Sequence, residues 1–160
     1  MARESLLAST DAPFAQLAAK PNNIRCGTRT TKTDKVDVHP AATNVTLVPV
    51  GLNPAWIRSG EPKTAITPLW KSDDRTATGL IWECTAESFD WHDPEEETVH
   101  IPEGDVYVQE VGGKTFRLDA GDSAVSKAGA HAVWTVPNRV RKIGICRWEL
   151  PPAVTLPARA

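Results

Sequence analysis

Short hydrophobic runs, many of them alternating with polar residues, recur along the chain from residue 45 onward. They are separated by Gly, Pro or Asp, and examples are NVTLVPV, ATGLIWECTA, DVYVQEV and RKIGICRWEL. A period of two is typical of half-buried strands, and many short strands with turn residues between them are typical of a β-sandwich or β-barrel. No long helical period follows residue 60. The pattern therefore predicts an all-β fold with at most one or two short helices.

The chain before these strands has a different pattern. Residues 11–20, DAPFAQLAAK, predict one short helix, because Asp11 can cap it and Pro13 suits its first turn. NPAWIRSGEP, at residues 53–62, predicts one helical turn between strands. The expected organisation is an N-terminal arm at residues 1–43, a single barrel domain at residues 44–150, and a proline-broken tail at residues 151–160.

Composition excludes several classes of function. The chain has 160 residues, which predicts one domain, and its 18 basic and 20 acidic residues give a formal net charge of -2. It has no basic excess for nucleic acid and no apolar run of the ~18 residues that a membrane span needs. The start of the sequence has too short an apolar run for a signal peptide, so we expect a cytoplasmic protein.

The cysteines do not predict a cross-linked scaffold. Cys26, Cys84 and Cys146 are odd in number and widely spaced, which argues against a disulfide framework or a zinc ribbon. Cys84 and Cys146 lie in apolar runs and are predicted to be buried, reduced thiols.

Candidate chemistry concentrates in FDWHDPEEETVHIPEG, residues 89–104. Asp90 and His92 are two apart and share a face of a strand, and after a bend at Pro94 the chain re-enters a strand near Glu97. Glu95 and Glu96 compete with Glu97 as the inward carboxylate, although we expect them to be solvated charges at the barrel mouth.

The spacing of these residues resembles the first motif of the cupin superfamily. Glu97 and Gly104 stand at the right separation, His92 stands at the second histidine position, and Asp90 replaces the first histidine.

A second stretch resembles the second cupin motif. Gly121 and Gly129 match its glycines, and Lys127 replaces its proline. Ala132 occupies the histidine position, with His131 one residue early.

Over residues 75–148 the chain looks like the ureidoglycine aminohydrolase-like small cupins, a branch that includes the ethanolamine-utilisation cupin. The shared marks are Trp82-Glu83, Phe89, Glu97 to Gly104, Ala120-Gly121-Asp122, Gly129 to Val136, and Arg141-Lys142. The resemblance implies a double-stranded β-helix, the cupin or jelly-roll barrel.

The resemblance also implies a metal-assisted enzyme of the aminohydrolase, lyase or isomerase type. Its ligands would be Asp90, His92, Glu97 and His131, holding Mn, Fe, Zn or Ni, and Glu97 or His131 would move a proton. A one-residue shift turns a strand side chain to the other face, so His131 would point away from the barrel unless a bulge resets the register. The alternative is a metal-free, non-catalytic small-ligand-binding or accessory cupin.

Other residues are expected to line the pocket for a small polar ligand or substrate. They are Trp82, Trp91, Tyr107, Trp134 and Lys142. Because arms and edge strands are exposed templates for pairing, we also expect a homodimer in which residues 20–70 cross to the partner.

Overall fold

The computed structural model describes residues 44–148, most of which lie in antiparallel β-strands. The strands are β1 Val48–Val50, β2 Ile57–Ser59, β3 Thr64–Lys71, β4 Ala77–Asp93, β5 Glu96–Gly104, β6 Val106–Glu110, β7 Thr115–Leu118, β8 Ser123–Ser126 and β9 Ala130–Arg147. One 3-10 helix covers Pro54–Trp56, inside the segment where the sequence predicts a helical turn. The predicted helix at residues 11–20 lies outside the described residues.

The sheet is built around its two longest strands. Its order is β1-β3-β4-β9-β5-β8, while β2 pairs with β4, and β6 pairs with β7 and β9. Strands β4 and β9 are antiparallel and stay in register over most of their length, from Ala77 opposite Arg147 to Asp93 opposite Ala130. The all-β prediction is confirmed, and the arrangement is consistent with a jelly-roll fold.

One face of this sheet packs on the hydrophobic core. On β4 the core residues include Trp82, Cys84, Phe89 and Trp91. Cys84 and Phe89 are an odd number of residues apart, so strict alternation would place them on opposite faces. A register irregularity between Thr85 and Glu87 restores both to the core, as a β-bulge does.

None of the helical segments in residues 44–148 is long and apolar enough to cross a membrane.

Candidate functional site

Two oppositely charged side chains meet in the interior, on the core face of β5 and β9. Nζ of Lys142 donates to both carboxylate oxygens of Glu97, at 2.6 Å to Oε2 and 2.8 Å to Oε1. Lys142 is fully buried and Glu97 is 1% exposed. Because charges removed from water need partners, the two side chains are best described as a buried ion pair.

The local sequence of β9 makes room for this pair. Lys142, Gly144 and Cys146 are two residues apart and share the core face. Glu97 lies opposite Cys146 in the register, and a methyl group at Gly144 would collide with the Glu97 carboxylate. The Sγ of Cys146 donates to Oε1 of Glu97 at 3.8 Å. The missing side chain at Gly144 is therefore what admits the carboxylate.

Three tryptophan rings surround the Lys142 ammonium. Its Nζ lies 4.5 Å from the ring centroid of Trp91, 4.9 Å from that of Trp134 and 5.3 Å from that of Trp82. All three distances are within the ~6 Å at which a cation is attracted by the face of an aromatic ring. The interior is thus arranged to hold a positive charge.

Two further carboxyl groups are buried where β4 turns into β5. Asp93 ends β4 and accepts a 2.7 Å hydrogen bond from Nε1 of Trp91, while Glu95 lies in the turn and is 5% exposed. Burial is the main cause that raises the pKa of Asp93 to about 6 and the pKa of Glu95 to about 7, and the charge of Glu97 acts in the same direction on both. Both carboxyl groups therefore titrate close to neutral pH.

The turn between β8 and β9 covers the same end of the barrel. The N–H of Gly129 donates to the carbonyl of Asp93 at 2.6 Å, and outside it Nζ of Lys127 donates to Glu96 at 2.9 Å. Glu96 is partly exposed, with 38% of its side chain accessible to solvent, as the sequence predicts, whereas the prediction of a solvated Glu95 is wrong. Glu95 is two residues from Asp93 and from Glu97, and this period of two carries it inward with them.

A second polar cluster lies on the opposite face of the sheet. Arg58 forms a bidentate pair with Asp90, both N–O distances being 2.9 Å, and Nε2 of His131 lies 2.9 Å from Oδ1 of Asp90. His92 and His131 face each other across β4 and β9 with ring centroids 4.0 Å apart, and the Trp56 ring lies 5.0 Å from His92.

Electrostatics in this outer cluster follow from its contacts. The hydrogen bond from Arg58 holds the pKa of Asp90 below its ordinary value, and partial burial lowers the pKa of His92, with the charge of His131 acting the same way. At neutral pH the cluster therefore holds an ionised Asp90 beside an uncharged His92.

The four metal ligands that the resemblance implies are divided between the two faces. Asp90, His92 and His131 lie on the outer face, and Glu97 lies in the interior. Ala132, opposite Trp91 on the core side of β9, stands where the resemblance expects a histidine, and the register shows no bulge there.

The residues present do not fit a transition-metal site. Within residues 44–148, no group of three or more His, Cys, Asp or Glu side chains is arranged to hold a metal ion. The carboxylate of Glu97 already forms an ion pair with the Lys142 ammonium, and that of Asp90 forms one with the Arg58 guanidinium.

Four of the five predicted pocket residues come together. Trp82, Trp91, Trp134 and Lys142 share the interior. Tyr107 instead lies partly exposed on the outer side of β6, with the guanidinium of Arg117 5.6 Å from its ring centroid.

Both of the cysteines that are predicted to be buried, reduced thiols lie in the described part of the chain. Cys84 and Cys146 are both buried and free, as expected, and burial raises the pKa of Cys84 to about 12. Cys26 lies outside the described residues.

Sequence reasoning missed two charged residues near these clusters, Asp93 in the interior and Arg58 in the outer cluster. It considered Glu95 as an inward carboxylate but favoured a solvated position for it. The even spacing of Asp93, Glu95 and Glu97 is a usable signal for the two interior residues, but the proline between Asp93 and Glu95 obscured it. No local pattern points to Arg58, which is 32 residues from Asp90.

Comparisons with known proteins agree with this architecture. Residues 71–143 match the family model described as the EutQ-like cupin domain. No curated protein sequence matches the chain.

Several solved structures are similar to the chain. A protein of unknown function from Pseudomonas syringae pv. tomato is 22% identical with a TM-score of 0.60, and the match covers 64% of this chain and 45% of that one. A cupin superfamily protein from Desulfitobacterium hafniense is 13% identical with a TM-score of 0.52, covering 76% and 100% of the two chains. The EutQ protein of Clostridium difficile is 16% identical with a TM-score of 0.49, covering 54% and 68%. The chain spans less than half the length of the first of these proteins, and the first two likenesses concern the fold.

Proposed function

Because residues 71–143 match the model of a EutQ-like cupin domain, we propose that the chain is a cupin that binds a small polar molecule in its interior. In this proposal the Lys142 ammonium takes the place of a metal ion as the cation beside Glu97. We expect the ligand to enter at the end of the barrel where Asp93 and Glu95 are buried. The observation that carries this proposal is the buried ion pair itself.

Stability alone does not account for such a pair. Burying two charges costs several kcal/mol per ion in desolvation, and apolar replacements of similar volume are often neutral or stabilising. Lys142 and Glu97 are nevertheless both fully enclosed, against three aromatic rings. Aromatic walls with a few convergent polar groups are the usual lining of a small-molecule site.

Proton transfer to or from a ligand at this site falls to Asp93 and Glu95. Their pKa values, about 6 and about 7, lie near neutral pH, where an acid or base is most effective. This supports a site that can perform acid–base chemistry as well as binding.

A metal-assisted, aminohydrolase-type reaction is the activity that the sequence resemblance implies. The ligand set for it is divided between the two faces of the sheet, and its interior member already holds an ammonium. The function proposed for this chain therefore does not use a metal ion.

The test combines metal analysis with ligand screening. Untagged protein is soaked in Mn, Fe, Ni and Zn, desalted and analysed for bound metal, and the metal-free protein is screened by thermal shift against small polar metabolites. The screen is repeated with Lys142→Met, with the apolar pair Glu97→Leu/Lys142→Met, and with Lys127→Met. Lys127 is the matched control because it is an exposed lysine at the same end of the barrel.

We expect no stoichiometric metal, and a ligand-dependent rise in Tm that both Lys142 variants lose and Lys127→Met keeps. One equivalent of a metal that is lost in His92→Ala or Glu97→Gln would overturn the proposal. Ligand binding that survives in the Glu97→Leu/Lys142→Met protein would also overturn it.

A further inference from the structure

The charges buried in the interior also indicate what kind of ligand fits. Resting on the function proposed above, we propose that the ligand carries a protonated amine, which the Glu95 carboxylate binds at the end of the barrel.

The interior holds more carboxyl groups than cations. The buried charged residues on the core side of the described chain are Asp93, Glu95, Glu97 and Lys142. The other buried cation, Arg141, pairs with Glu83 on the outer face. The interior therefore has one ammonium group for three carboxyl groups, and this ammonium is bound to Glu97.

Glu95 is the carboxyl group whose bonding is least complete. Asp93 accepts from the Trp91 indole and from the Ser126 side chain, and Glu97 accepts two bonds from Lys142. Among residues 44–148, no other side chain donates to Glu95, whose only hydrogen bond comes from its own backbone N–H. A carboxyl group can accept about four hydrogen bonds, and buried polar groups are normally satisfied. The Glu95 carboxyl group thus has unused acceptor capacity, which a hydrogen-bond donor on a ligand would fill.

An ammonium is the donor that best suits this place. Three carboxyl groups repel an anion, and a neutral donor would satisfy hydrogen bonds but leave the excess negative charge buried. A protonated amine supplies both the donors and the compensating charge. The neighbouring Lys142 shows the same chemistry within the chain, since its ammonium is held by Glu97 and by aromatic rings.

Binding of such a cation is linked to protonation. The charged and titratable groups that act on Glu95 are Asp93 from β4, Glu97 from β5, and Lys142 and Cys146 from β9. A bound ammonium favours the ionised carboxylate, so affinity rises as the pH passes through about 7, and binding below that pH releases a proton.

Calorimetric titrations with probes of matched shape test the inference. The probes are butylammonium, the neutral butanamide and the anion butyrate, with KCl and CaCl₂ as inorganic cations, each at pH 6 and pH 8. The variants are Glu95→Gln and Glu95→Met, and the control is Glu96→Gln, which alters the adjacent, partly exposed glutamate.

We expect butylammonium to bind at least about tenfold more tightly than butanamide, more tightly at pH 8 than at pH 6, and with proton release at pH 6. Both Glu95 variants should lose about tenfold in affinity, while Glu96→Gln keeps it. The inference is overturned by equal binding of the amide, by binding of an inorganic cation instead, by full affinity in Glu95→Gln, or by no binding of butylammonium.

These failures differ from failure of the proposed function. If butyrate or butanamide binds and this binding is lost in Lys142→Met, the inference of an amine ligand is wrong but the proposal of an interior ligand site is supported. A stoichiometric transition metal would remove both.

Discussion

At the scale of single residues, Lys142 and Glu97 depend on each other. Each is buried because the other is present, and neither has water to replace it. Loss of one partner leaves an uncompensated buried charge, whereas loss of both leaves an apolar site.

Lys142→Met should therefore lower the free energy of unfolding by about 3–5 kcal/mol, because Glu97 would remain buried without its cation. The double variant Glu97→Leu/Lys142→Met should recover most of this loss, and urea denaturation with fluorescence detection measures all three proteins. Lys127→Met should change stability by less than about 0.5 kcal/mol, since its ion pair is exposed. A double variant as unstable as the single one would contradict a paired arrangement.

A second prediction concerns the contribution of Glu95 to the pH dependence of stability. Its pKa rises from 4.5 to about 7 on folding, so between these values the folded chain binds a proton more tightly than the unfolded chain. Unfolding then releases a proton, and the stabilisation, complete below pH 4.5, is lost as the pH rises through about 7.

Glu95→Gln does not titrate at this position, and it should gain stability relative to the wild type between pH 4.5 and pH 8, by up to about 3 kcal/mol. Urea denaturation at a series of pH values measures the difference. Glu96→Gln should gain none, because the pKa of Glu96 is lowered by its hydrogen bond to Lys127. Parallel pH profiles for Glu95→Gln and the wild type would show that Glu95 is not buried as described.

At the scale of the elements, the pairing of β4 with β9 decides which residues meet. The register sets Trp82 opposite Lys142 on the core face and His92 opposite His131 on the outer face. Because alternation has a period of two, a residue one place early, as His131 is, lies on the wrong side of the sheet for the interior site.

This explains how much of the site is readable in the sequence. Alternation within β4 places Asp90 and His92 on one face, and the strand tryptophans in the core, without any knowledge of the fold. Alternation also separates Asp90 from Glu97, which are seven residues apart, because Trp91, Asp93, Glu95 and Glu97 keep the period of two through the turn at Pro94. The sequence alone does not establish that this period continues past the proline. The pairing of Lys142 with Glu97 joins residues 45 apart in sequence, which periodicity does not address.

Two glycines at turns allow the strand connections to be tested by substitution. Gly104, which ends β5, has a φ of +81°, and a methyl group there would collide with the backbone carbonyl of Arg139. Gly112, in the turn between β6 and β7, has a φ of +72° but no neighbour that a methyl group would meet.

Gly104→Ala should therefore lose about 3 kcal/mol or more of stability, because backbone strain and a collision act together. Gly112→Ala should lose about 1–2 kcal/mol, since only the strain applies. Thermal and urea denaturation of the two variants side by side measure the difference. Equal losses would mean that β5 and β9 approach each other less closely at Gly104 than the structure has them.

At the scale of the whole molecule, the outer face of the sheet carries an apolar stripe. Trp70, Ile145 and Val125 are 38%, 42% and 55% exposed. The strand register places them in one row. Trp70 on β3 lies opposite Gly79 on β4, and Gly79 lies opposite Ile145 on β9. Thr98 on β5 lies between Ile145 on β9 and Val125 on β8 and is paired with both. Gly79 and the exposed Thr98 stand between them in the row. Exposed apolar side chains grouped in this way are typical of an interaction site.

We predict that the stripe is the contact of a homodimer, since a two-fold axis across the sheet would place the row against its own copy. Light scattering after size exclusion should give twice the 17.4 kDa of one chain, and Val125→Glu with Ile145→Glu should give a monomer that keeps its fold by circular dichroism. Val111→Glu is the control, because Val111 is equally exposed but lies in the turn between β6 and β7, away from the stripe. A monomeric wild type would remove the dimer, and a dimer that survives both substitutions on the stripe would place the interface elsewhere.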